Sequence, residues 1–269
     1  MTDLPAKYGK YALVTGASSG IGAEFVVQLA DAGFDLVLVA RRKERLDALA
    51  DELYQRAGAR VIIEALDLGA PDAVDELFRR TRNLDVGMVV VAAGIMAGGP
   101  FVDNDYAAET AVVQLNTVAL MQLVHRYGQA MITHGRGALI LVSSTVGHFA
   151  VPYSANYAAS KAYVSALGRA LHYELKASGV DVLTVAPGPT DTEGLNTAEG
   201  IDFTMLPMPL MSTTAVVRKS LRRLGRTALV IPGALNRLTD FFGTRLMPRS
   251  AMTALYGRML DRALTTREA

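Results

Sequence analysis

The chain has 269 residues, 51% of them hydrophobic, which is enough for one α/β domain with a core on both faces of a sheet. The formal net charge is +1 with no basic stripe, which argues against nucleic acid or an anionic membrane surface as a partner. Cysteine is absent, which excludes disulfides, thiolate zinc sites and thiol catalysis and fits a reducing, cytoplasmic setting.

The first residues carry no apolar leader pattern and no Arg/Ser-rich transit pattern. No uninterrupted apolar run reaches the roughly 18 residues of a membrane span, so none is expected. Residues 11–15 read as a buried strand ending in a glycine-rich turn. A helix over 23–32 puts Phe25, Val26, Leu29 and Ala30 on one face and stops at Gly33. A strand over 35–40, a charged amphipathic helix over 42–56 and a strand over 60–68 follow. Pro71 opens the next helix, 87–94 is a strand, and a long helical stretch covers 105–134. Residues 138–144 form a strand ending in hydroxyls, 155–178 a helix, and 180–186 a sixth strand running into a Pro/Gly turn. Continuous apolar strands separated by helices predict an α/β fold, a Rossmann-type doubly wound parallel sheet. Ligands bind beyond the carboxyl ends of such strands, and the polar and glycine-rich segments fall at those ends.

Thr15-Gly-Ala-Ser-Ser-Gly-Ile-Gly22 joins the first strand to the first helix. Its glycines permit a tight turn, and the helix start offers free N–H groups to a pyrophosphate. No Lys follows the last glycine, which argues against a P-loop nucleotidase. Arg41 and Arg42 stand after the second strand, where an acidic residue would bind the ribose 2′-hydroxyl of NAD. Guanidinium groups suit the 2′-phosphate of NADP instead; the bland alternative is a solvated start to a charged helix. Tyr157-Ala-Ala-Ser-Lys161 puts phenol and ammonium one helical turn apart. A nearby ammonium favours phenolate and so is expected to lower the phenol's pKa. Ser144 closes a strand at the same edge, where its hydroxyl can hold a substrate oxygen. The side chain of Ser143 should face the other way. Asn116 lies inside the long helix, with either a polar role or a solvated one.

In order and spacing, these motifs resemble the short-chain dehydrogenase/reductase family over roughly residues 10–235. The resemblance implies that Tyr157 is the general acid/base, that Ser144 orients the carbonyl, and that Lys161 binds the nicotinamide ribose and tunes Tyr157. It implies that Asn116 holds a water in a proton relay. It assigns NADP(H) contacts to Gly16, Ser18, Ser19, Gly20, Ile21, Gly22, Arg41 and Arg42. Asp67 and Leu68 would border the adenine, Ala93 and Gly94 would offer backbone contacts, and Pro187, Gly188, Thr190 and Thr192 would hold the carboxamide. The chain departs from the family in Val91-Ala-Ala-Gly94, where Asn-Asn-Ala-Gly is common.

The whole chain, 1–269, reads as one domain with a core of about 10–235, a lid of about 193–212 and a C-terminal helical extension of about 235–269. Met, Leu and Phe between 201 and 250, interrupted by Pro207, Pro209, Pro232 and Pro248, read as an apolar flap or partner surface. Met96, Phe149, Val151 and Pro152 are expected near the mouth of the site. Together these predict an NADPH-dependent oxidoreductase interconverting an apolar ketone (3-oxoacyl, steroid-like or aryl) and a secondary alcohol. The family resemblance also implies a homodimer or homotetramer. The alternative is a catalytically inactive NADP-binding regulatory protein. The four histidines show no metal-ligand spacing, so no metal is expected; His148, nearest the site, is a candidate substrate contact.

Overall fold

The computed structural model describes residues 3–196, 200–205 and 209–264. Its elements are α1 (Leu4–Tyr8), β1 (Tyr11–Thr15), α2 (Gly20–Asp31), β2 (Asp35–Ala40), α3 (Lys43–Ala57), β3 (Val61–Ala65), α4 (Ala73–Thr81) and β4 (Val86–Val91). Then come α5 (Tyr106–Val113), a π-helical turn (Gln114–Ala119), α6 (Leu120–His134), β5 (Gly137–Val142), α7 (Ala155–Glu174) and β6 (Val180–Val185). The last are α8 (Glu193–Asn196), α9 (Thr213–Arg223), β7 (Leu229–Val230), α10 (Ala234–Arg245) and α11 (Arg249–Asp261). Among the described residues seven strands pair in parallel in the order β3-β2-β1-β4-β5-β6-β7, a doubly wound sheet. The strand order reverses at β1, which lies between β2 and β4.

Alternation along each strand feeds two cores. Ala12, Val14, Leu36, Leu38 and Ile140 pack on one face with Phe25 and Leu29 of α2 and Val216 and Val217 of α9. Leu13, Val37, Val39, Leu139 and Leu141 pack on the other with Leu120, Leu123 and Tyr127 of α6 and Val164 of α7. Each such Leu or Val contributes about 1.5–3 kcal/mol by leaving water. A third, smaller cluster joins Val151, Ala158, Ile201, Leu260 and Ala263, away from the sheet. The stretch Tyr106–His134 is long and apolar enough to cross a membrane by length and composition alone. Here its α6 part packs on the sheet.

Several expected boundaries move. β3 ends at Ala65, so Asp67 and Leu68 lie in the loop beyond it, and β4 ends at Val91, leaving Ala92–Gly94 as loop. The helix expected over 155–178 is α-helical only to Glu174 and closes in a 3-10 turn, Lys176–Ser178. The long helix expected over 105–134 carries the π turn in its middle, and α1, α9 and β7 were not anticipated. The apolar tail does form two helices on either side of Pro248, whose backbone starts α11. Pro207 and parts of the expected lid and tail (197–199, 206–208, 265–269) lie outside the described residues.

Candidate active site

One cavity of about 780 Å³ opens along the carboxyl ends of the strands and takes a wall from nearly every loop there. After β1 come Gly16 and the Ser18–Gly22 turn; after β2, Arg41 and Arg42; after β3, Asp67 and Leu68. Ala93 and Gly94 follow β4, Ser143 and Ser144 follow β5, and Pro187, Gly188, Thr190 and Thr192 follow β6. Tyr157 and Lys161 project from α7 into the same space. Every residue expected to touch cofactor lines this cavity. Asn116 does not, and stands just behind its wall.

The glycine-rich turn is built for close approach. A Cβ on Gly22 would lie 2.2 Å from the Gly16 carbonyl oxygen, so α2 starts directly against the end of β1. Gly16 adopts φ 66°, and a Cβ there would meet the Ala93 backbone at 2.9 Å. The Ser19 side chain does not cap α2, so the first-turn N–H groups face the cavity with the positive end of the helix dipole behind them. That is a cradle for a pyrophosphate. The Arg42 fork donates to Ser18 Oγ (3.1 and 3.3 Å) and Ser19 Oγ (2.9 Å). Arg41 is more exposed and stands 4.0 Å from Asp67. The donor set therefore fits a phosphorylated dinucleotide.

The loop after β4, which lacks the family's asparagines, is held by Thr15. Its buried hydroxyl accepts the N–H groups of Ala92 and Ala93, both at 3.1 Å. Asn116 secures the rest of that loop. Its Oδ1 accepts Ile95 N–H at 2.9 Å, and its amide donates to the Ile95 carbonyl (2.9 Å) and to Ser160 Oγ (3.1 Å). Both amide hydrogens are thus used in tying the β4 loop to α7. The π turn sets that position, as such turns often do beside functional sites.

Helix α7 is fixed on β5 by Ser143, whose Oγ donates to the Lys161 carbonyl (2.7 Å) and bonds Ser165 Oγ (2.8 Å). This is the opposite facing expected of Ser143, and it leaves Ser144 toward the cavity. Lys161 Nζ donates to the Val142 carbonyl at 3.0 Å and lies 5.6 Å from the centre of the Tyr157 ring. The expected lowering of the tyrosine is not found. Burial pushes Tyr157 up to about 12, and the Ser144 hydroxyl bonded to it only partly offsets this. Burial also pushes Lys161 down to about 8. The sequence shows the neighbouring ammonium but not the desolvation, which sets the direction at both residues.

Lys161 titrates lower in the folded protein than in the unfolded chain, so between about 8 and 10.5 the unfolded chain binds the extra proton. Stability of the nucleotide-free protein therefore rises with pH through that window, and the burial cost is fully present below it. Urea midpoints of the parent should climb there relative to Lys161→Met. Parallel curves would reject the reading.

The substrate half is lined by Met96, Phe149, Val151, Leu195, Phe203 and Pro209. Met252, Leu255, Tyr256, Met259 and Leu260 of α11 complete it, so the tail is a wall of the site. Pro152 packs on Gly257 instead of the cavity. His148 does not face the cavity either: its Nδ1 bonds Asp240 Oδ1 at 2.5 Å, and Asp240 is the member of the pair that lines it. Asp240, Asn236 and the α11 residues were missed as site residues. The one signal for the α11 residues was the helical spacing of the tail's apolar residues. Glu193, which meets Arg42 at 2.9 Å and Arg45 at 2.6 Å, carried none.

Residues 10–200 match the family described as short chain dehydrogenase. The 7beta-hydroxysteroid dehydrogenase of Clostridium sardiniense is 31% identical over 255 residues, covering 95% of this chain and 97% of that one. A solved structure from work on 7beta-hydroxysteroid dehydrogenase stereoselectivity superposes with a TM-score of 0.87 at 27% identity, covering 94% and 99% of the two chains. A short-chain dehydrogenase from Sphingobium yanoikuyae in complex with NADPH is 32% identical, with a TM-score of 0.77 over 97% and 98% of the chains. Motif order, sheet order and relatives agree on one ancestry: the chain belongs to the short-chain dehydrogenase/reductase family of oxidoreductases acting on CH–OH groups.

Proposed function

We propose that the protein is an NADPH-dependent reductase of a bulky apolar ketone. The observation that carries this reading is the continuity of one cavity. It runs from the Arg42–Ser18–Ser19 cluster, past Ser144, Tyr157 and Lys161, to Phe149, Phe203 and the Met-, Leu- and Tyr-lined wall of α11. Bound NADPH would supply the hydride. The chain's own residues do the rest. The Ser144 hydroxyl donates to the carbonyl oxygen and holds it beside the phenol. Tyr157, kept protonated by burial, gives its proton to that oxygen as negative charge develops. Lys161 is a neighbouring cation able to steady the deprotonated phenol and to hold ribose hydroxyls. Asn116 acts as a positioning residue through Ile95 and Ser160.

A relative named for a hydroxysteroid supports a steroid-sized ketone over a short one, and so do the α11 methionines, whose side chains adapt to irregular apolar shapes. The Arg42 cluster and the neighbour in complex with NADPH support NADP over NAD. Arg42→Ala should weaken NADPH about tenfold, since charge-assisted bonds to phosphate are lost, and leave NADH nearly unchanged. Equal losses for both would point to damage in the turn. The cysteine-free composition supports a cytoplasmic setting, and the exposed Leu235, Leu238, Phe241 and Leu246 of the tail support a homodimer or homotetramer.

The deciding experiment is NADPH oxidation at 340 nm against steroid ketones, 3-oxoacyl thioesters and aryl ketones. Turnover of a bulky ketone carries the proposal. Tight NADPH binding with no turnover across the panel would favour the regulatory reading.

A further inference from the structure

Helix α8 begins directly after Thr192, and its first residue reaches across the cavity mouth to the other side of the nucleotide half. Glu193 Oε1 accepts from Arg42 Nη1 at 2.9 Å and Oε2 from Arg45 Nη1 at 2.6 Å. The remaining donors of Arg42 hold Ser18 and Ser19. A carboxylate therefore sits on two guanidinium forks at the end of β2, where an NADP cofactor must place its 2′-phosphate. Those arginines hold the Glu193 carboxyl down to about 2, so it is an anion at any working pH. All three side chains keep a third or more of their surface in water, with Glu193 at 36%, Arg42 at 40% and Arg45 at 49%. Ion pairs so exposed are weak and exchangeable. A phosphomonoester brings a charge of about −1.5 to −2 and three acceptor oxygens to the same donors, so it outcompetes a single carboxylate.

We propose that Glu193 is an internal stand-in for the 2′-phosphate, so that NADP(H) binds by anion exchange: the phosphate takes Arg42 and Arg45, and the Glu193 carboxylate is released to water. The inference rests on the NADP reading above. It makes Glu193 a specificity-determining residue, because NAD(H) has no group that can displace it. It also links cofactor choice to the substrate half. Glu193 stands two residues before Leu195, which lines the apolar half of the cavity.

The test is calorimetric titration of the full chain and of Glu193→Gln with 2′,5′-ADP and with 5′-ADP. Neither ligand carries the nicotinamide, so the readout is independent of turnover. The substitution should tighten 2′,5′-ADP about three- to tenfold, the scale of losing two exposed ion pairs, and leave 5′-ADP unchanged. In the parent, amide exchange over 193–196 should speed up with 2′,5′-ADP and not with 5′-ADP. Unchanged or weaker 2′,5′-ADP binding by Glu193→Gln, with the parent still preferring 2′,5′-ADP, would overturn the inference and leave the NADP reading standing. No preference in the parent would remove both.

Discussion

Replacing Tyr157 with phenylalanine lowers the rate of ketone reduction by about a hundred- to ten-thousandfold, the usual contribution of a positioned general acid. The ring stays and only the hydroxyl goes, so packing against α7's neighbours is preserved and NADPH affinity should hold. The loss belongs in the chemical step: kcat falls, KM for the ketone moves little, and a single-turnover trace at 340 nm slows by the same factor. Because burial keeps the phenol protonated, the parent has its proton in place for reduction at neutral pH. Oxidation of the alcohol needs the deprotonated phenol and should speed up as pH rises. A Tyr157→Phe enzyme that reduces ketones at a rate near the parent's would remove Tyr157 from the chemistry.

The second large effect is expected at Gly22. A methyl group added there meets the Gly16 carbonyl oxygen at 2.2 Å and its carbon at 2.7 Å. Both are backbone atoms and cannot swing aside, so α2 must back away from β1. Overpacking of this kind costs about 1–3 kcal/mol. The larger consequence is for binding, since the retreating helix takes the N–H cradle with it. A displacement of about 1 Å in a positioned site costs on the order of a hundredfold, and Gly22→Ala should weaken NADPH by that much. Gly58→Ala is the control. Gly58 has φ 63° and nothing within 4 Å of the added carbon, so it should lose about 1 kcal/mol of stability through backbone strain and bind NADPH as the parent does. Fluorescence titration and thermal melts of the two variants separate the effects. Equal NADPH affinity in both would refute the close-approach argument.

What was readable in the sequence follows from what each feature depends on. The runs 36–40 and 138–142 within the expected strands 35–40 and 138–144 are uninterrupted and apolar, and burial on two faces admits little else. The turn at Gly16–Gly22 and the Tyr157/Lys161 pair are local patterns, and the sheet brought them to one edge as expected. The π turn around Asn116 escaped because widening a single helical turn leaves no mark on the apolar period. Helix α1 escaped because its five residues are too few to show one. The upward push on Tyr157 needed its burial, which no spacing reveals. Glu193 is 151 residues from Arg42, and nothing in a charged loop residue announces so distant a partner. Asp240 is hidden in the same way, as one acid in an amphipathic helix whose aim only the packing decides.

The small cluster of Val151, Ala158, Ile201, Leu260 and Ala263 is separate from the two cores that clamp the sheet. Folding free energy is unevenly held in a molecule so divided. The nucleotide half draws on the sheet, whereas the substrate wall draws on a handful of contacts made by the tail. Substitutions in that wall therefore spend little of the stability on which cofactor binding depends. A lineage built this way can change the substrate it accepts by accumulating tail mutations, each tolerated because the sheet never feels them. Directed selection on α11 alone should yield altered substrate range with melting temperature nearly constant.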